Sequence, residues 1–445
     1  MSILNYNLDL IEPDYFIFHI PDLSRSNTRI MKKVKFRSIV IFLGVIQLVF
    51  YSCKKEPAVI LPIEPVSINL TASQLSLINS ENSFAFDIFK KVLDNSAESD
   101  NIIISPLSIS SALSMTVNGA NGPTRDSMLA TLRMNGLTPE IINNSYKDLT
   151  ASLLSVDQRV LISVANSVWI ENNFVTKKSF ADILSQYYNA ESKSFSISDP
   201  MVPKQVNSWI EDKTNGLIKN MVDQLDPRTV MLLINAIYFK GKWNSQFDKV
   251  NTVHGPFYKS DGTTAQTQMM KQTSEYNIFN GEEFTLAEFA YGQGNFVMDV
   301  ILPTEKDGLK TITPLITNNN INTWLRQMVK RKTELTFPKF KYGFKKELKD
   351  ILEAMGMGIA FGDKADFSNI SDFATQLSFV LHQAFIETNE EGTEAAAATV
   401  VGIIATSAPA GPIVLNIDHP FLYIIRETST NSILFIGKVA DPMAE

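Results

Sequence analysis

The chain has 445 residues, 44% hydrophobic and 20% charged, enough apolar material for one large core and too much for a disordered or fibrous polypeptide. Its formal net charge is −7 and Lys and Arg form no long run, which argues against a general nucleic-acid binder. One cysteine, Cys53, and four histidines, His19, His254, His382 and His419, exclude an internal disulfide and any Cys/His spacing that holds zinc; no metal or cofactor is expected.

The first element is a processing signal. Lys32, Lys33, Lys35 and Arg37 precede an uncharged stretch of 16 residues, Ser38 to Cys53, which is shorter than the roughly 20 residues a membrane-spanning helix needs. Residues 31–52 therefore read as a signal peptide. Ser52 directly before Cys53 resembles a lipobox, so Cys53 is expected to carry diacylglycerol. Residues 1–30 hold Asp9, Glu12, Asp14 and Asp22, which no signal peptide places ahead of its basic region; they read as a misannotated extension, with Met31 as the start. Residues 53–69, with Pro57, Pro62 and Pro65, read as a tether. These features predict an extracytoplasmic protein, lipid-anchored to a bacterial membrane or its outer surface, and extracellular when released. Without residues 1–52 the balance becomes −9.

From residue 70 onward a single domain is expected. Phe84, Ile88 and Val92 give Ile78 to Leu93 a helical spacing, and Ser105-Pro106 starts another helix that carries Leu107, Ala112, Leu113 and Val117. Strands are predicted at 160–170, 229–238, 296–302, 335–340, 379–387 and 421–425. Helices dominate the first third and strands the rest, without βαβ alternation, which predicts an α+β fold with mainly antiparallel sheets. The basic stretch Trp324 to Lys332 reads as a solvated helix face. No G-x-S-x-G, H-E-x-x-H, P-loop or dinucleotide motif is present, so nothing supports an enzyme.

The unusual stretch runs from Glu390 to Pro412. Ala395 to Ile417 is 23 residues without a charge, but Gly402, Pro409, Gly411 and Pro412 count against a membrane helix. An Ala-rich helix meets β-branched Thr399, Val400 and Val401 at once. A latent strand is the other reading: alternation puts Thr393, Ala395, Ala397, Thr399, Val401 and Ile403, all small or apolar, on one face and Glu394 on the other. Gly392 would then be the hinge. Local sequence supports helix and latent strand about equally.

At this segment the chain resembles a serpin. The hinge Glu391-Gly392-Thr393-Glu394-Ala395-Ala396-Ala397-Ala398-Thr399 carries the likeness. So do the blocks Asn101-Ile102-Ile103-Ile104-Ser105-Pro106-Leu107-Ser108, Ala165-Asn166-Ser167-Val168-Trp169, Asn235-Ala236-Ile237-Tyr238-Phe239-Lys240-Gly241-Lys242-Trp243, Phe337-Pro338-Lys339-Phe340 and Asp418-His419-Pro420-Phe421. The likeness spans roughly residues 70–445.

The resemblance implies a serpin fold of three mainly antiparallel β-sheets and about nine helices with an exposed reactive centre loop, about 390–412. It implies a suicide inhibitor of serine endopeptidases, with cysteine endopeptidases as a further target class. The loop is cleaved, an acyl complex forms with the target protease, and the loop inserts into the central sheet. The inserting hinge would be Gly392, Thr393, Glu394, Ala395, Ala396, Ala397, Ala398 and Thr399. Counting from Gly392 puts the reactive bond at Thr406-Ser407, with Ile404 and Ala405 as secondary cleavage positions. Counting back from His419-Pro420-Phe421 ends about three residues later, near Pro409, where proline would hinder cleavage. Ser105, Ser108, Asn235 and His382 match the region where the sheet opens, and Trp243 its upper end. No Lys or Arg lies between Lys364 and Arg426, so elastase-like or subtilisin-like proteases are favoured over trypsin-like ones. A monomer with loop-exchange oligomers is expected. The rival readings are a non-inhibitory serpin-fold binding protein and a hydrolase with an unrecognised triad.

Overall fold

The computed structural model describes residues 64–393 and 412–444. Cys53, and the loop positions Glu394, Ala395, Ala396, Ala397, Ala398, Thr399, Ile404, Ala405, Thr406 and Ser407, lie outside the described residues. The first half begins with helix α1 (Ala72–Asp94), β1 (Ile102–Ile104), α2 (Pro106–Val117), α3 (Gly122–Thr131), α4 (Pro139–Ser155) and β2 (Val160–Glu171). It continues with α5 (Lys178–Tyr188), β3 (Glu191–Phe195), α6 (Val202–Lys213), β4 (Met231–Lys242), β5 (Val253–Tyr258), β6 (Thr264–Asn280) and β7 (Phe284–Tyr291). Next come β8 (Phe296–Pro303), α7 (Leu309–Ile312), α8 (Asn318–Arg326), β9 (Val329–Pro338), β10 (Phe340–Glu347), α9 (Lys349–Leu352) and β11 (Leu381–Thr388). The last strands are β12 (Gly392–Thr393), β13 (Ile413–Asn416), β14 (Phe421–Glu427) and β15 (Ile433–Val439).

Local chemistry starts α2 where the sequence predicts, at Ser105-Pro106, whereas α1 begins at Ala72, six residues before the predicted Ile78. Thr71 and Gln74 form a reciprocal capping box at α1, satisfying backbone N–H groups that have no partner within the helix. Ser105 caps α2 and Pro106, which lacks an N–H, follows it. Lys330, Arg331 and Lys332 correct the expected helix face: α8 ends at Arg326 and these residues belong to β9. There each faces a residue of β6, with Lys332 opposite Glu275, so cross-strand pairing overrides the helical reading of a charge run.

The strands form three sheets, and their ladders are antiparallel except β2–β3 and β9–β13. The nine-stranded sheet has β8, β14 and β15 at its heart, every residue of them buried, which explains their continuous apolar runs. Asp299 is the charged exception in β8, and buried Arg426 of β14 neutralises it through bonds of 2.6 and 3.2 Å. A four-stranded sheet runs β12-β4-β2-β3, and β10 pairs with β11 in a separate pair. Strand β4 divides two cores: Ile237 and Phe239 face the main one, while Leu232, Ile234 and Ala236 pack with Val206 and Trp209 of α6.

The stretch read as a tether meets this body before α1 begins. The backbone of Val66 exchanges two hydrogen bonds with the Asn295 side chain, at 3.0 and 2.6 Å, and the Ile68 N–H donates to Ser429 Oγ. Among the described residues no helix is long and apolar enough to cross a membrane.

Candidate functional site

The site is the seam between β4 and β11. Among the described residues no backbone ladder joins these two strands. A cavity of about 630 Å³ lies between them, walled by Met231 to Asn235 on one side, by Phe379 to His382 on the other, and floored by Ser108 and Ala112 of α2. Two buried side-chain oxygens in the lining of this cavity, Thr229 Oγ1 and Thr375 Oγ1, lack a hydrogen-bond partner among the described residues. Each such group costs on the order of 1–3 kcal/mol, so the seam carries unmet hydrogen-bonding capacity.

Four of the sequence-predicted positions form a buried polar chain beneath the seam. Ser105 Oγ accepts from the Ser108 N–H at 3.2 Å. The Ser105 N–H donates to His382 Nε2 at 3.1 Å, which makes that nitrogen an acceptor and the ring neutral. Burial pushes the His382 pKa down to about 3, in keeping with that assignment. The Ser108 hydroxyl donates to Asn235 Oδ1, and Asn235 Nδ2 donates to Asn166 Oδ1 at 2.6 Å. Asn235 and His382 thus reach the two strands of the seam from a common support on α2, without bonding each other.

At the upper end the chain turns back on itself. Asn389 and Gly392 exchange backbone hydrogen bonds of 3.0 and 3.2 Å, and Asn389 Oδ1 accepts from the Glu391 N–H. This tight turn directs β12 down the seam, with Gly392 opposite Lys242 and Thr393 opposite Gly241. Gly392 has φ of +138°, and a Cβ there would lie 2.2 Å from the Gly241 carbonyl oxygen, so both the conformation and the close approach require glycine.

Trp243 fastens this turn. It is 4% exposed; its N–H donates to Glu391 O at 2.8 Å and its Nε1–H to Asn389 O at 2.9 Å. Its ring stacks on Tyr291 at 4.4 Å, and the Tyr291 hydroxyl meets Thr393 Oγ1 at 3.0 Å. Thr393 therefore faces the core, which agrees with the face that alternation assigns to it. The two carboxylates of the turn are held from outside. Lys249 pairs with Glu391 at 2.9 Å, and Glu390 takes Lys339 at 3.1 Å and the Thr252 hydroxyl at 2.9 Å. Burial pushes the Glu390 carboxyl up, but a backbone N–H, Thr252 and Lys339 outweigh it and hold it below the usual range.

Sequence reasoning singled out Ser105, Ser108, Asn235, His382, Trp243, Gly392 and Thr393, and the structure puts all seven at this seam. It missed Tyr291, Lys249, Thr252 and the pairing role of Lys339. The one available signal was the uncompensated acidic pair Glu390-Glu391, which asks for cationic partners elsewhere in the chain. Among the described residues no group of three or more His, Cys, Asp or Glu is placed to hold a metal ion.

Comparison with known proteins agrees with this geometry. Residues 79–442 match the family model described as "Serpin (serine protease inhibitor)". Human serpin B4 is 32% identical over 390 residues, covering 82% of this chain and all of the relative. Tengpin, a thermophilic serpin solved in its native state, superposes with a TM-score of 0.76 at 30% identity, covering 86% of this chain and 97% of its own. Human thyroxine-binding globulin, solved as a complex with thyroxine, superposes with a TM-score of 0.77 at 27% identity, covering 84% and 100%.

Proposed function

The chain belongs to the serpin family, and from this premise we propose that it is a suicide inhibitor of serine endopeptidases whose loop, once cut, inserts between β4 and β11. The observation that carries this reading is the seam itself: a cavity of strand-like placement with the hinge already paired at its top. Continuing the β12–β4 register downward brings Thr399 level with Asn235, and continuing the Asn389–Gly392 turn along β11 brings the same residue level with His382. Both extensions start from Gly392, and together they would set Thr399 between Asn235 and His382 in the inserted state. The inserted strand would also offer its backbone to the unmet polar atoms of the seam. Each hydrogen bond gained is worth about 1 kcal/mol net, and the sum over the loop opposes the fold of an attached protease.

The bait is apolar. Cleavage near Thr406-Ser407, or after Ile404 or Ala405, suits the small and medium pockets of elastase-like and subtilisin-like enzymes, and a trypsin-like pocket finds no positive charge. The test is to mix the protein with pancreatic elastase, subtilisin and trypsin, look for SDS-stable complexes, and locate the cut by mass spectrometry. Complexes with the first two and none with trypsin are expected. Cleavage without a stable complex overturns the inhibitor reading, and a trypsin complex overturns the specificity.

A non-inhibitory binding role is the second reading, since thyroxine-binding globulin was solved in complex with thyroxine on the same fold. The small hinge residues Ala395 to Ala398 favour insertion over it, because bulky or charged side chains would resist entry into a core. We further propose that Cys53 is lipidated and anchors the domain outside the cytoplasm. Cys53→Ala should release the protein from the membrane fraction, and unchanged fractionation counts against the anchor.

A further inference from the structure

Strands β6 and β7 leave their hairpin turn as a pair and then part. They are paired only where Asn277 to Asn280 face Thr285 to Glu288; beyond that point β6 stays with β9 and β7 with β8. The segment after β4 fills part of the gap, where the Asn244 N–H donates to Ala290 O at 2.7 Å. The rest is a cavity of about 200 Å³ that shares no lining residue with the seam. Buried Trp243, Phe247, Tyr276 and Phe289 give it aromatic walls, with Tyr276 and Phe289 edge to face at 5.2 Å. The Tyr276 hydroxyl is buried and has no hydrogen-bond partner among the described residues, a costly state for a polar group in the interior. Burial pushes its pKa up, so it stays a neutral phenol able to donate and to accept. Polar groups complete the lining: Gln272 and Ser245 exchange two hydrogen bonds of 3.2 Å, and Asn277 donates to Glu288 at 2.7 Å. The charges balance, because Glu288 is paired with buried Arg426 at 2.5 Å and Glu275 shares the lining with Lys330.

We propose that this cavity binds a small neutral aromatic molecule, one ring with a single hydrogen-bonding substituent such as the amide of benzamide or the hydroxyl of phenol. The size fits, since an engineered apolar cavity of about 150 Å³ takes up benzene. The aromatic walls receive the ring, and the Tyr276 hydroxyl supplies a partner for the substituent. A net charge on the ligand would lose its hydration with no opposite charge left over to repay it. The site goes beyond the inhibitor reading and does not need the loop to insert. It bears on the hinge all the same, because Trp243 lines the cavity while its two N–H groups hold Glu391 O and Asn389 O. A ligand that binds only the ordered site stabilises it by mass action, so the amides of 389–393 should exchange more slowly when the cavity is occupied.

Benzamide, phenol and benzene titrated into the whole chain test this, with the indole N–H resonances of the four tryptophans followed by NMR and Trp243→Phe identifying that of Trp243. Benzamide and phenol should shift the Trp243 signal saturably and slow exchange at 389–393. No saturable shift with either overturns the site. Tyr276→Phe keeps the ring and removes only the hydroxyl. It should weaken benzamide about tenfold, the worth of one hydrogen bond, and leave benzene unchanged; equal benzamide affinity overturns the proposed ligand class. Benzoate and benzylammonium carry the same ring with a charge of either sign, and one that binds as well as benzamide overturns the neutral class. Ala290→Leu adds bulk to the lining without touching the aromatic walls and should abolish binding of all three probes, whereas retained binding puts the ligand elsewhere and overturns the site. None of these outcomes touches the inhibitor reading, which stands or falls on SDS-stable complexes.

Discussion

Thr393 links the sequence pattern to the chemistry of the seam. Its hydroxyl meets that of Tyr291 inside the core, at the first position where an inserting strand must bury a side chain. Thr393→Arg would bring a charge to that place, which the interior tolerates only at a cost of several kcal/mol. The variant is expected to be cut by elastase at the wild-type rate while yielding no SDS-stable complex. Two buried groups, Glu81 and His382, contribute to the dependence of stability on pH with opposite signs. Burial raises the Glu81 carboxyl to about 7, against weaker opposing bonds from Tyr146 and Ser110. The folded protein therefore holds that proton where the unfolded chain has lost it, and the associated stability is lost as pH rises from about 4.5 through 7. His382 has the opposite sign. Its pKa falls from 6.5 to about 3, so its stabilisation is complete above pH 6.5 and is lost as pH falls toward 3. Urea unfolding across pH 3–8 should show Glu81→Gln flattening the loss at the neutral end while leaving the acid limb in place. An unaltered neutral limb would remove Glu81 from this role.

At the level of elements, much was legible because the signals are local. The Ser105-Pro106 start of α2 and the apolar runs of β8 and β14 each declare themselves within a few residues, whereas the Thr71 cap and β15 were not among the predicted elements. What was not legible depends on partners far along the chain. Glu390 meets Lys339 and Glu391 meets Lys249, contacts that no window of sequence contains. The basic run of β9 looked helical because its strand partner, β6, precedes it by a whole hairpin and more. Of the seven positions at the seam, Gly392 and Thr393 were marked by strand alternation and Ser105 as a helix start, whereas Ser108, Asn235, His382 and Trp243 were singled out only through the family likeness; by themselves His382 and Trp243 read as ordinary core residues. Two substitutions test the elements directly. Ser105→Ala removes the cap of α2 and should cost about 1 kcal/mol in urea unfolding, with the backbone bond to His382 retained. Gly392→Ala forces a Cβ against the Gly241 carbonyl at a positive φ, and should cost about 1–3 kcal/mol. Equal stability in either case would contradict the geometry described for the cap or for the turn.

For the whole molecule, β4 and β11 are joined by no ladder among the described residues, and on the inhibitor reading the intact fold keeps hydrogen-bonding capacity for the loop to use. Cutting the loop should release it. Protein nicked within 404–409 and freed of protease is expected to melt on the order of 10 °C higher than intact protein, measured by scanning calorimetry. A nicked form that melts at or below the intact temperature would exclude insertion. The same strands offer a vacancy to a neighbouring chain, so mild heating of intact protein should give oligomers that nicked protein does not form.

The two-residue ladder at Gly392 and Thr393 has an effect that reaches beyond the hinge, because it makes the loop a ruler. Side chains alternate faces along a strand, so one residue added between Thr393 and the cut would turn every later side chain to the wrong side of the sheet. Two added residues would restore the faces but carry the cargo about 7 Å further along the sheet. The bait can change its letters freely; its count is fixed by the distance the captive has to travel.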